Sequence, residues 1–176
     1  MKKECKLGFF ATTSDLCHTG HLVMFEEARK HCDYLIAGLN VNPCDRPNKN
    51  KPIESVFERY MRLRSIKWID EIICYEGEKD LELLYSVLDI DIAFLGQDHK
   101  CKDYTGKKIL EDRGIEVYFC KRYHNLSSTN LRERIYQVES KRLAKSTKRQ
   151  SSKSQEDCFY GFIDYMLNKN YKSKKR

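Results

Sequence analysis

At 176 residues, with 40% hydrophobic and 34% charged side chains, the chain suits one domain plus a tail and needs no disulfide staples to hold a core. Its formal net charge of +7 points to anionic partners, but the excess lies largely from Ser140 onward, where Lys and Arg are dense. No apolar run is long enough for a transmembrane segment, the start is too short for a signal-peptide core, and eight cysteines without a C-x-x-C pair read as reduced thiols, so a cytoplasmic setting is expected.

Taken in order, Cys5 to Phe10 is a nearly continuous apolar run, the pattern of a strand covered on both faces. Ala11 to Cys17 is a polar loop, and Gly20 to about His31 spaces Leu22, Phe25 and Ala28 as the inner side of a helix. Tyr34 to Leu39 is a second buried strand, and Asn40 to Lys51, loaded with Asn, Pro and Lys, is a loop. A helix opens at Ser55, with Val56, Tyr60, Leu63 and Ile66 at helical spacing and Arg59, Arg62 and Lys67 off that stripe. Glu71 to Tyr75 is a third strand, Asp80 to Leu88 a helix with Leu81, Leu84, Tyr85 and Leu88 inward, and Ile90 to Leu95 a fourth strand. Thr105 to Arg113 is a short helix stopped by Gly114, and Ile115 to Cys120 is a fifth strand. Ser127 to about Arg142 is a last helix, in which Asn130 and Glu133 have capping-box spacing. Cys5, Cys74 and Cys120 fall in apolar runs and are expected to act as small hydrophobes.

Strands and helices alternate five times, which predicts an α/β fold: a Rossmann-like, doubly wound, five-stranded parallel sheet with helices on both faces. One domain is expected at 1–142, a Ser/Lys linker at 143–155 and a basic aromatic tail at 156–176. The tail suits either packing on protein or contact with an anionic surface. Sheets of this kind bind ligands beyond the carboxyl ends of their strands. The unusual polar stretches lie there: Thr12 to His21, Asn40 to Lys51, Gly96 to Lys100 and Arg122 to Thr129.

The most informative stretch is Leu16-Cys17-His18-Thr19-Gly20-His21-Leu22, where a strand hands over to a helix. A helix start offers unpaired N–H groups and positive dipole character, and two imidazoles aimed at one point add donors, so the turn suits a phosphate. A zinc pair is the alternative, but no third ligand stands at a convincing spacing.

His18-Thr19-Gly20-His21 is an H-x-G-H sequence preceded by Asp15-Leu16. Arg122 to Thr129 is an altered R-T-x-G-x-S-T-[ST] stretch, with Glu58-Arg59-Tyr60 and Ile66 to Glu71 between the two. Through these segments, over about residues 6–138, the chain resembles the cytidylyltransferase-like family of nucleotidyltransferases. Its size and single-domain layout are nearest to the members that use glycerol 3-phosphate. The resemblance implies that a phosphate oxygen of a phosphorylated alcohol, such as glycerol 3-phosphate, attacks the α-phosphorus of CTP and that pyrophosphate leaves. It implies His18, His21, Lys49 and Arg122 as catalytic groups. Thr12, Thr13, Gly20, Asp98, Ser127, Ser128 and Thr129 would bind the nucleotide, and Asp15, Lys51 and Arg59 the acceptor. Mg²⁺ is implied with the triphosphate, held by phosphate and water and not by protein ligands, and a homodimer is implied as well.

Plainer readings exist for several of these residues. Lys49 fits a solvated loop lysine, Arg59 a partner of Glu58 or Glu54 on a helix surface, and Asp15 or Asp98 the cap of a turn. Ser127 to Thr129 fit helix capping, which uses the same geometry as phosphate binding. The chain also departs from the family pattern, with Thr12 in place of the usual Gly and with Tyr123 and Asn125 in place of the usual Thr and Gly. These departures keep ATP with a sugar phosphate as a rival substrate pair. A non-catalytic nucleotide- or nucleic-acid-binding module is the alternative from another class. Intact His18, His21 and Lys49, and the lack of an aromatic and basic stripe in the core, speak against it.

Overall fold

The computed structural model describes residues 5–43, 51–121 and 126–146. In chain order these form β1 (Leu7–Thr12), α1 (Thr19–Arg29), β2 (Tyr34–Asn40), α2 (Val56–Arg64), β3 (Glu71–Tyr75) and α3 (Gly77–Val87). Then come β4 (Ile92–Gly96), a 3-10 turn (Gln97–His99), α4 (Lys107–Asp112), β5 (Glu116–Cys120) and α5 (Ser128–Ser146). The five strands make one parallel sheet in the order β3-β2-β1-β4-β5. β1 pairs with β2 from Leu7↔Tyr34 to Thr12↔Leu39 and with β4 from Gly8↔Ile92 to Phe10↔Phe94. The strand order therefore reverses between β1 and β4, which opens a crevice past their carboxyl ends.

Successive side chains of a strand point to opposite faces, and two cores result. Phe10, Leu35, Ala37 and Phe94 pack with Phe25 and Ala28 of α1 and Leu63 of α2 on one face. Phe9, Ile36 and Ala93 pack with Leu81 and Tyr85 of α3 and Leu110 of α4 on the other. Phe9, Phe25 and Phe94 are fully buried, each contributing about 2–3 kcal/mol of transfer free energy. This is the doubly wound α/β sheet that the alternation predicts. α4 opens on Gly106 at φ +76°, where a Cβ would stand 2.4 Å from Tyr85, so glycine lets that ring lie beneath the turn.

Local expectations change in four places. Val56 is 38% exposed, whereas Arg59, expected off the inner stripe of α2, is 1% exposed. α3 begins at Gly77, three residues earlier than its apolar stripe suggested. Ser127 Oγ accepts the Asn130 N–H at 3.0 Å, so the cap of α5 is Ser127 and the Asn130–Glu133 pair lies inside the helix. Cys5 and Cys74 are exposed, Cys74 on an edge strand. Among the described residues Cys32 and Cys120 are the buried thiols, and burial raises them to about 11 and about 12.

The chain divides into two units, one through Arg134 and one from Ile135. Of the second, the last turns of α5 are described, with Ile135, Tyr136, Val138 and Leu143 exposed. The expected linker and tail lie, from residue 147 on, outside the described residues. No helix among the described residues is long and apolar enough to cross a membrane.

Candidate active site

β1 delivers the chain to its carboxyl end at Thr12, whose hydroxyl accepts the Ser14 N–H at 3.1 Å. Beyond it, Ser14 (φ 53°) and Leu16 (φ 49°) both take the left-handed conformation in a loop that contains no glycine. Contacts from distant segments hold this shape. Glu54 accepts the Leu16 N–H at 2.7 Å, and Arg59 donates to the Thr13 carbonyl at 3.0 Å. Asp15 Oδ1 accepts the N–H groups of Ile53 and Glu54, each at 3.0 Å. Asp15 Oδ2 pairs with Arg132, and the Asp15 carbonyl accepts Ser128 Oγ at 3.0 Å.

The loop ends at His18, the N-cap of α1. His18 Nδ1 accepts the Gly20 N–H at 3.0 Å, and His21 Nδ1 accepts the His18 N–H at 3.3 Å, a capping box built from two imidazoles. The ring centroids are 4.1 Å apart. Because Nδ1 is the acceptor in both rings, the proton of each neutral imidazole is placed on Nε2, as a donor. Burial first, then the adjacent His18, push His21 down to about 4 against the pull of Asp15, so its ring is neutral near pH 7.

Asp15 behaves differently. Burial alone would raise its carboxyl, but the Glu54 N–H, Arg132 and the Ile53 N–H together outweigh it and hold the group below the ordinary aspartate value. Arg59 reaches under the loop from α2, donating to the Asn40 carbonyl at 2.6 Å and the Val41 carbonyl at 3.0 Å as well as to Thr13. It ties the carboxyl ends of β1 and β2 together.

A cavity of about 1030 Å³ opens over these strand ends. Thr12, Thr13, Asp15, His18, Gly20 and His21 line it from the β1–α1 side. Asp98 lines it from the turn after β4, and Ser127, Ser128 and Thr129 line it from the start of α5. The structure thus brings ten of the expected site residues to one cavity. The carboxylate of Asp15, expected to meet an acceptor, is occupied by backbone N–H groups and Arg132. Arg59 stands outside the lining with its donors on carbonyl oxygens, and exposed Lys51 is also outside it. Lys49 and Arg122 lie outside the described residues, as do Tyr123 and Asn125.

Three features escaped the sequence reading. Arg132 lines the cavity from α5 and looks in sequence like any polar helix residue. Glu54 is buried and binds both the Leu16 N–H and Arg62, at 2.5 Å, with no sequence mark except its place before the capping Ser55. A far wall is formed by Glu78 of α3, by Tyr104 and Thr105, and by Lys107 and Lys108 of α4. Gly96 carries its own signal, because a Cβ there would stand 2.6 Å from Asp98 Oδ1.

Residues 9–134 match the sequence model of the family described as cytidylyltransferase-like. Glycerol-3-phosphate cytidylyltransferase of Staphylococcus aureus is 29% identical over 130 residues, covering 73% of this chain and 94% of that protein. Bifunctional protein HldE of Syntrophotalea carbinolica is 32% identical over 123 residues, covering 69% of this chain. The chain spans 25% of that protein's length, and 23% of the HldE of Hyphomonas neptunium, to which it is 31% identical over 114 residues. The crystal structure of a lipopolysaccharide core biosynthesis protein from Thermoplasma volcanium superposes with a TM-score of 0.55 at 23% identity, over 66% of this chain and 95% of that one, a likeness of fold.

Proposed function

Since the chain belongs to the cytidylyltransferase-like family, we propose that this nucleotidyltransferase moves CMP from CTP to a phosphorylated alcohol such as glycerol 3-phosphate and releases pyrophosphate. The observation that carries the reading is the histidine pair, two imidazoles whose Nδ1 atoms cap their own helix and leave the Nε2 atoms for a ligand, at a cavity beside the β1–β4 reversal. The match to the S. aureus protein over nearly its whole length supports the choice of CTP and glycerol 3-phosphate.

In the proposed reaction an acceptor phosphate oxygen forms a bond to the α-phosphorus while the bond to the β-phosphate's bridging oxygen breaks, and no protein nucleophile is needed. The protein must hold two anions together and stabilise the charge that spreads onto the α-phosphate and the leaving pyrophosphate. His18 and His21 would donate to phosphate oxygens, and Ser127, Ser128 and Thr129 would do so at the start of α5. Lys49 and Arg122 are proposed as further cations on the triphosphate. Mg²⁺, when bound, would neutralise triphosphate charge. Among the described residues no group of three or more His, Cys, Asp or Glu is placed to hold a metal, and oxygens of phosphate and water are a donor set this ion accepts. A homodimer and a cytoplasmic setting complete the proposal.

The test is pyrophosphate release with Mg²⁺ and each nucleoside triphosphate across a panel of phosphorylated alcohols, amino alcohols and sugars. Turnover with CTP and glycerol 3-phosphate is expected. Turnover confined to ATP and a sugar phosphate would replace the CTP reading, and no turnover with any pair would overturn both.

A further inference from the structure

The last turns of α5 expose four large apolar side chains: Ile135 is 47% exposed, Tyr136 70%, Val138 63% and Leu143 59%. At 3.6 residues per turn these four fall on one side of the helix, and Gln137, Ser140 and Lys141 on the other. Glu139 and Arg142 stand within the apolar side and pair with each other at 2.8 Å. A stripe of this width is a face built to be covered. The unit to which it belongs begins at Ile135 and extends to Arg176. Within that unit the sequence holds a second stripe, in 156–168, outside the described residues. Phe159, Phe162, Ile163 and Met166 recur there at helical spacing, so as a helix this segment would have one apolar side of its own.

We propose that residues 156–168 form an amphipathic helix that folds back antiparallel on α5 and covers Ile135, Tyr136, Val138 and Leu143, making 135–168 a helical hairpin. Reach allows it: the Ser- and Lys-rich stretch 147–155 exceeds the roughly two to eight residues that join antiparallel helices in bundles. Charge favours it. The segment holds Glu156, Asp157 and Asp164 and no Lys or Arg, whereas the turns of α5 bear Lys141 and Arg142 against Glu139. An acidic apolar segment is drawn to a basic helix and repelled by an anionic lipid surface. The tether favours it over a second copy of the chain, because a segment on a short linker stays at an effective concentration on the order of millimolar. The hairpin would carry the basic stretch 169–176 back toward the Ile135 end.

The test is amide hydrogen exchange on the full chain, read by mass spectrometry, for the wild type, Tyr136→Gln/Val138→Gln/Leu143→Gln and Phe162→Ser/Met166→Ser. The glutamines keep the helix propensity of α5 and replace exposed side chains, so the domain is expected to fold, with exchange in β1 unchanged as the control. In the wild type the amides of 159–167 should exchange about tenfold or more slowly than in a free peptide, and the glutamine variant should lose that protection. Phe162→Ser/Met166→Ser should in turn speed exchange across 138–144 of α5. Free-peptide rates at 159–167 in the wild type, or protection that survives the glutamines, would overturn the proposal. Protection that vanishes on dilution, together with a halving of mass in light scattering, would give the face to a second copy and overturn it. So would wild-type binding to vesicles of phosphatidylcholine and phosphatidylglycerol in equal parts that the glutamine variant loses, which would give the face to a lipid surface.

Discussion

His18 Nδ1 holds the Gly20 N–H while His21 Nδ1 holds the His18 N–H, so each imidazole secures the helix start with one nitrogen and keeps its proton on the other. Capping and the proposed phosphate contact therefore use different atoms of the same ring and can be separated. Asparagine is a good N-cap and lacks the distal N–H. His18→Asn should stay within about 0.5 kcal/mol of wild-type stability in urea melts. Its turnover should fall about 100- to 1000-fold, the effect of a lost charge-stabilising donor. Near-normal turnover in the His18→Asn variant would remove His18 from the chemistry.

The low value of His21 makes folding pH-dependent in a defined window. The folded ring titrates at about 4 and the unfolded ring near 6.5, so the unfolded state binds more protons between those values. Stability contributed by the neutral ring is complete above about pH 6.5 and is lost as pH falls toward 4, by roughly 3 kcal/mol in all. Asp15 is held below the ordinary aspartate value and adds its loss at lower pH. Urea midpoints measured from pH 7.5 to 4.5 should fall for the wild type and change less for His21→Gln. Parallel curves for the two proteins would mean that the slope comes from other groups.

Arg59→Met removes the donor to three carbonyls, those of Thr13, Asn40 and Val41, in a site that is 1% exposed. Leaving buried acceptors unpaired costs about 1–3 kcal/mol each before relaxation, so a total near 3 kcal/mol is expected in denaturant unfolding. Arg59→Lys should restore little of it, because one ammonium does not reproduce the planar fork. A full rescue by lysine would show that charge, and not geometry, is what α2 supplies.

Gly96→Ala places a methyl against the Asp98 carboxylate, the far end of an exposed side chain, on a backbone of φ −68° that alanine accepts. Stability should change by about 1 kcal/mol or less, because the carboxylate can swing away. Comparison of CTP and ATP turnover before and after the change then reads the role of Asp98. An unaltered nucleotide preference would leave Asp98 as a turn residue only.

The sheet was legible because each of its strands is an apolar run closed by a polar loop, and both faces are buried. The place of His18 and His21 at the mouth of the cavity was legible because their stretch falls where a strand hands over to a helix. Arg59 was not, because on a helical wheel an arginine reads as solvent-facing. It is buried here only because the ends of β1 and β2 bring three carbonyls to it. Arg132 was hidden for a related reason: its partner, Asp15, lies 117 residues away in sequence, and no local pattern records that pairing.

Those separations bear on how the protein assembles. The left-handed turns at Ser14 and Leu16 are held by contacts that span 38 residues to Glu54, 46 to Arg59 and 117 to Arg132. Ordering a loop through such distant partners requires the intervening chain to be in place first. The H-x-G-H loop should thus settle late in folding, after the sheet has formed and α5 has arrived. During that interval the molecule would have its core but no place to hold a nucleotide.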